Sequence, residues 1–157
     1  MAAPKYKQGR FSPIFPKKYR GNLSNIIFRS GWELRVMKHL DESDKILAWN
    51  SEEVMIPYRD PWTDRPRRYF LDFWFAMKNG DGEIKEYLVE VKPYKQTIPP
   101  QPPKINNYKA LKRYNREKNQ YIRNQAKWKA ATRVCEARGL SFIIMTEREL
   151  GLERRRR

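Results

Sequence analysis

Cysteine and histidine are almost absent: the chain has one of each, Cys135 and His39. A lone cysteine cannot close an internal disulfide, and it suits a reducing compartment. Together the two fall short of the four ligands of a structural zinc site. A Ser-His-Asp triad would have to use His39, which sits inside a predicted helix with no nucleophile motif beside it. Long apolar runs are missing as well. No stretch of about 18 apolar residues exists, so no membrane span is expected, and the basic N-terminus lacks the apolar core of a signal peptide.

What is abundant is positive charge. The formal net charge is +16 over 157 residues, a length sufficient for one domain with a real core. The charge is unevenly spread: +6 over residues 1–20, −3 over 21–91, +11 over 92–138 and +2 over 139–157. The acids are thus gathered into one segment flanked by strongly basic ones. A basic helix is often only a solvated face. A field this concentrated nevertheless points to a polyanion, and nucleic acid is the expected partner.

The order of elements is legible from periodicity and punctuation. Residues 1–25 show no period and hold Pro13 and Pro16 among Lys and Arg, which reads as an extended basic arm ordered only by contact with something else. Ser30 is a predicted N-cap for a helix running to about Asp41. Ile46–Asn50 and Val54–Tyr58 are short strands, and Arg59–Arg68 is a polar loop. Tyr69–Met77, rich in aromatic and β-compatible residues, is one continuous strand. Asn79-Gly80-Asp81-Gly82 is a turn between two strand patterns, hence a hairpin into the Glu86–Lys92 strand. Residues 93–105 are a proline-rich connector, with five prolines between 93 and 103. Residues 107–138 form a basic helical region with an apolar stripe at Trp128, Ala131, Val134 and Cys135, closed by Gly139. Ser141–Met145 is a last strand, and Thr146 to Glu149 reads as a capping box. The domain proper is taken as 26–152, with 153–157 a basic tail. The result is a mixed α/β domain with a central sheet. Trp32, Trp49, Trp74 and Trp128 read as core, and His39 and Cys135 as structural.

The chemistry concentrates in Tyr87-Leu88-Val89-Glu90-Val91-Lys92. A period of two puts Tyr87, Val89 and Val91 on one face of the strand and Leu88, Glu90 and Lys92 on the other. A second acid-x-Lys, Glu83-Ile84-Lys85, follows the turn, where charges are merely solvated. The Glu90–Lys92 pair lies in an apolar strand, where charge needs a reason. The bland alternative is a salt bridge on an exposed sheet face. Asp72 sits among five aromatics on the strand that the hairpin places beside Glu90. It is either paired with an arginine such as Arg68 or held near Glu90 by a cation that relieves their repulsion. Glu33 fits two readings equally. Ser30-x-x-Glu33 is a capping box, yet Glu33 also shares a helical stripe with Val36, Met37 and Leu40 and can point at the sheet. Tyr108, Tyr114 and Tyr121, set among Lys and Arg, suit base stacking or an ordinary amphipathic face.

An acid on an early helix, an acid in a core strand and Glu-x-Lys, in this order, resemble the PD-(D/E)XK nuclease superfamily and its restriction-endonuclease-like αβββαβ core, with Leu71 standing where the name-giving proline would be. Arg29-Ser30-Gly31-Trp32-Glu33, Trp49-Asn50-Ser51-Glu52-Glu53, Ile56-Pro57-Tyr58, Tyr69-Phe70-Leu71-Asp72-Phe73-Trp74 and Val89-Glu90-Val91-Lys92-Pro93 are similar to blocks of the head completion nucleases of tailed bacteriophages. A more distant likeness is to the end-cleaving nuclease subunits of certain transposons. The resemblance implies Glu33, Asp72, Glu90 and Lys92 as catalytic positions. Asp72, Glu90 and Glu33 would bind Mg²⁺, with Mn²⁺ able to substitute. Lys95, Lys104, Lys112, Arg113 and Arg116 would grip the backbone of double-stranded or branched DNA. It further implies a place in phage head maturation, with portal or neck proteins as partners, in the bacterial host cytoplasm during assembly and in the head–neck region of the virion. The rival reading is a structural head–neck protein that binds DNA with a dormant site. A transposase-like subunit would need an added DNA-binding domain, for which the chain has no room.

Overall fold

The computed structural model of the chain describes residues 8–151. Strand β1 (Gly9–Arg10) pairs antiparallel with β2 (Ile27–Phe28), and helix α1 spans Gly31–Glu42. Strands β3 (Ile46–Ser51), β4 (Met55–Arg59), β5 (Pro66–Phe70), β6 (Phe73–Lys78) and β7 (Ile84–Val91) follow, then helix α2 (Tyr108–Arg138) and strand β8 (Ser141–Met145). The central sheet runs β3-β6-β7-β8, antiparallel except for the parallel β7–β8 pair that α2 connects. This is the mixed sheet with helices expected of a restriction-endonuclease-like core.

Local signals explain the helix ends. Ser30 adopts extended backbone and its Oγ accepts from the Glu33 N–H at 3.2 Å, closing the first turn of α1. Asn107 does the same for α2 through the Ala110 N–H at 2.8 Å. Gly139 ends α2 in the left-handed region at φ 72°, where a side chain would be strained.

Two apolar cores lie on either side of the sheet. On one, Val36, Met37 and Leu40 of α1 pack on Trp49, Phe73, Phe75 and Val89. On the other, Trp128, Ala131 and Cys135 of α2 pack on Leu88, Ile56, Tyr58, Tyr69 and Leu71. The β4–β5 hairpin belongs to this second core. It is pinned to α2 by the buried Asp60 carboxylate, which meets Arg67 at 2.9 Å and Arg123 at 3.4 Å.

Three expectations are corrected. The strand expected over Tyr69–Met77 is broken at Leu71-Asp72. A straight strand would keep Tyr69, Leu71, Phe73 and Phe75 on one face. Here the first two enter the α2 core and the last two the α1 core, so the chain passes through the sheet at Asp72. The loop expected over Arg59–Arg68 is shortened, because β4 runs to Arg59 and β5 starts at Pro66. Finally, residues 8–25 are not an arm waiting for a partner. Tyr19 is buried and meets the Trp49 ring edge-on at 4.8 Å. The buried Asp41 carboxylate accepts the N–H groups of Ile14 and Phe15, while Lys18 Nζ donates to the carbonyls of Asp41 and Ser43. Aromatic anchors give this charged segment something to bury, which its composition alone hides. The remainder of the expected arm, residues 1–7, and the 153–157 tail lie outside the described residues. The proline-rich connector holds one short 3₁₀ turn, Tyr94–Thr97. Trp49 and Trp128 are core residues, whereas Trp32 is only half-buried and His39 is exposed.

Candidate active site

The passage of the chain through the sheet builds the site. Phe73 pairs with Val89, so Asp72, one residue earlier, stands across from the Glu90 region of β7. The Val91 N–H donates to Asp72 Oδ2 at 2.7 Å and fixes that carboxylate at the sheet end. Glu90 is 7% exposed; its Oε2 accepts from the Tyr69 hydroxyl at 2.6 Å and its Oε1 lies 3.3 Å from Lys92 Nζ. Glu90 is therefore buried and Lys92 half-buried, unlike a solvated ion pair on an open face. Asp72 takes its hydrogen bond from backbone and not from Arg68, which lies exposed on β5.

Glu33 fills the capping role that its sequence allowed. Its N–H is capped by Ser30, and its Oε2 accepts from the Arg29 N–H at 2.5 Å, one residue upstream of the usual box partner. Its charge also reaches Asp72. Arg29 is in turn held in a two-point pair with Glu52, at 3.1 and 3.0 Å. Glu52 has φ 56°, a left-handed conformation that is uncommon for a non-glycine residue and often gathers at functional sites.

The electrostatics describe a crowded group of acids. Burial raises the Asp72 carboxyl well above the usual carboxylate range, and the neighbouring Glu90 and Glu33 charges raise it further. The Val91 N–H and Lys92 oppose this. Glu33 is raised too, first by burial and then by Glu52, with the Arg29 N–H pulling the other way. Burial pushes the Tyr69 hydroxyl far up, and the Glu90 charge adds to it, so Tyr69 is a hydrogen-bond donor at every working pH. Such acids relax when a cation sits among them, and their donor atoms are the hard oxygens that Mg²⁺ prefers. The fit is that of a pair and not of a finished cage. Among the described residues no group of three or more His, Cys, Asp or Glu side chains is arranged to hold a metal ion.

Residues 43–147 match the family model of the TnsA-like endonuclease N-terminal domain. The chain is also 40% identical over 139 residues to the head completion nuclease of Enterobacteria phage T4, covering 88% of this chain and 90% of the relative. The chain belongs to the head completion nuclease family. In this member, Asp72, Glu90 and Lys92 fall inside the segment that matches the TnsA-like domain, and Glu33 precedes it.

The sequence-predicted DNA contacts divide. Lys95 and Arg113 line one groove between the proline-rich connector and α2. Arg113 is also paired with Glu117 at 3.0 Å. Lys104, Lys112 and Arg116 are exposed and lie outside that groove, on the connector and on α2. Sequence reasoning missed Lys127, whose Nζ lies 5.6 Å from the Tyr69 ring centroid and 5.9 Å from that of Tyr58. Burial lowers its pKa and the Glu90 charge offsets part of that, which puts a second lysine on the Glu90 side of the site. Its only signal was its place one residue before Trp128 in a helical stripe. Tyr69 was read as a strand residue; the acid it serves lies 21 positions away.

Proposed function

We propose that this chain is a Mg²⁺-dependent DNA endonuclease, with Mn²⁺ able to substitute, acting on double-stranded or branched DNA ends during phage head completion. The observation that carries the reading is the meeting of Asp72 and Glu90 at one sheet end, with Lys92 on Glu90. Asp72 and Glu90 would hold the cation, with Glu33 as a third, direct or water-bridged, partner. Bound there, the cation supplies positive charge to the scissile phosphate and lowers the pKa of an attacking water. Lys92 orients that water and favours loss of its proton. Tyr69 keeps Glu90 in one rotamer through its hydroxyl. The basic face of α2 and the connector binds phosphates, which carry no sequence information, so weak sequence preference is expected.

A second reading has one observation in its favour. Both Glu90 oxygens are already engaged, by Tyr69 and by Lys92, which suits a resting site opened by a portal or neck protein. In that version the chain binds DNA at the head–neck vertex and cuts only on assembly. Either version places it in the host cytoplasm during assembly and at the head–neck region of the virion. No helix among the described residues is long and apolar enough to cross a membrane. The test is cleavage of linear, nicked, branched and circular DNA with Mg²⁺, Mn²⁺ or EDTA, comparing wild type with Glu90→Ala and Lys92→Ala. Cation-dependent cutting lost in both variants supports the endonuclease. Tight, salt-sensitive binding without cutting under any cation moves the conclusion to the structural reading.

A further inference from the structure

Away from the acids, a groove of about 940 Å³ lies between the proline-rich connector and the N-terminal half of α2. Its helical wall carries Arg113, Tyr114, Glu117, Tyr121 and Asn124. Residues three and four apart share a helix face, so the same stripe continues one turn on to Lys127, beside Tyr69 and Glu90. The groove therefore leads along α2 to the acids, over roughly 20–25 Å of helix. Its opposite wall contains Pro99, Pro100 and Pro103, a stiff segment that holds the groove open without help from secondary structure.

The chemistry inside is mixed in a telling way. Tyr114 and Tyr121 supply aromatic surface, and Lys95 and Arg113 supply positive charge. The acid Glu117 pairs with Arg113 at 3.0 Å and offsets part of its charge, while Lys109 adds a further cation to the lining. Gln120 and the buried Asn124 supply amide groups to the lining, joined by a 2.9 Å hydrogen bond from Gln120 to Asn124 Oδ1. Aromatic rings, cations and amide groups together are what unpaired nucleotides require: faces to stack on, charge for phosphates, and partners for base edges. A duplex hides the faces of its bases and offers only phosphates here.

We infer that this groove binds an unpaired DNA strand, its bases stacked on Tyr114 and Tyr121, its phosphates against Lys95 and Arg113. The inference rests on the nuclease reading and deepens it: the preferred substrate carries a single-stranded segment next to the bond that is cut.

The test uses the full chain in EDTA, with fluorescence anisotropy of a labelled oligothymidylate of about 8 nucleotides and of a blunt duplex. Joint replacement Tyr114→Ala with Tyr121→Ala is expected to weaken oligothymidylate binding at least about 10-fold, while Tyr114→Phe with Tyr121→Phe keeps it and blunt-duplex affinity stays within about 2-fold. Wild-type affinity for the oligonucleotide in the alanine variant would overturn the inference, as would equal loss in the phenylalanine variant. Displacement of the oligonucleotide by polyglutamate of equal charge as readily as by unlabelled oligothymidylate would overturn it too, since the groove would then take an acidic protein chain by charge alone. Cleavage with Mg²⁺ of blunt linear DNA and of a duplex carrying a single-stranded tail is measured on the same preparations. Ring-dependent binding without any cleavage sinks the nuclease reading and spares the groove; cleavage without ring-dependent binding sinks the groove alone.

Discussion

Strand β7 carries an acid-x-Lys pattern at each end, and the two ends have opposite surroundings. Glu83, Ile84 and Lys85 are all exposed beside the turn, Ile84 by as much as 60%. Glu90 is buried between Tyr69 and Lys92, one residue from the N–H that holds Asp72. Sequence pattern and strand are shared, so the difference is made by neighbours: solvent and a hairpin at one end, a second carboxylate and two helices at the other. Chemistry resides in what a motif is packed against.

Breaking the buried end should dominate. Asp72→Ala and Glu90→Ala are each expected to lower cleavage by at least about 10²–10³-fold with DNA binding retained, whereas Glu83→Ala leaves the rate unchanged; single-turnover assays on linear DNA decide this. Lys92→Ala follows at roughly 10²-fold with Lys85→Ala silent. If the two lysine variants behaved alike, the comparison between the ends would fail. Tyr69→Phe keeps the ring but removes a hydrogen bond to a charged acceptor, a loss of about 1.5–3 kcal/mol, or roughly 10–150-fold in rate if Glu90 must hold one rotamer for catalysis.

The pH behaviour sharpens the contrast by its sign. The Asp72 carboxyl is raised in the fold, chiefly by burial, so the folded chain holds this proton more tightly than the unfolded one does. That contribution to stability is fully present below the ordinary carboxylate range and is lost as pH rises through the raised value. In EDTA, Asp72→Asn should melt above wild type at alkaline pH and match it at acid pH, as followed by circular dichroism. Saturating Mg²⁺ should raise the wild-type melting point and not the variant's. Glu83→Gln should show none of this. The smallest effect expected is Ser30→Ala, about 1 kcal/mol from a lost N-cap, read from urea unfolding.

Much of the frame was legible because it rests on local rules. Ser30, Asn107 and Gly139 act through neighbouring backbone, and the alternation of Leu88, Val89 and Glu90 is enough to assign faces. What was illegible depends on the third dimension. Tyr69 to Met77 reads as one strand because aromatic and β-compatible residues dominate it, with Asp72 the residue that most disfavours a strand; the two cores put the break there. Lys127 drew no notice in the sequence because its place is set by the hairpin carrying Tyr58 and Tyr69, which packs against it only in the fold. Residues 8–25 looked like a tail because charge outweighs the aromatics in composition, while packing counts Tyr19 and the buried Asp41 more heavily. Glu33 stayed undecided because its spacing suits a cap and a helix face turned to the sheet alike, and the cap is what its hydrogen bonds show.

The crossing of the chain at Asp72 has a bearing on how divisible the domain is. Glu33 is delivered by the α1 core, Glu90 and Tyr69 by the α2 core, and Asp72 is placed only when both hold their sides of the sheet. The acid pair therefore exists only where the two cores meet, and whatever chemistry it supports requires the whole fold and not either half of it.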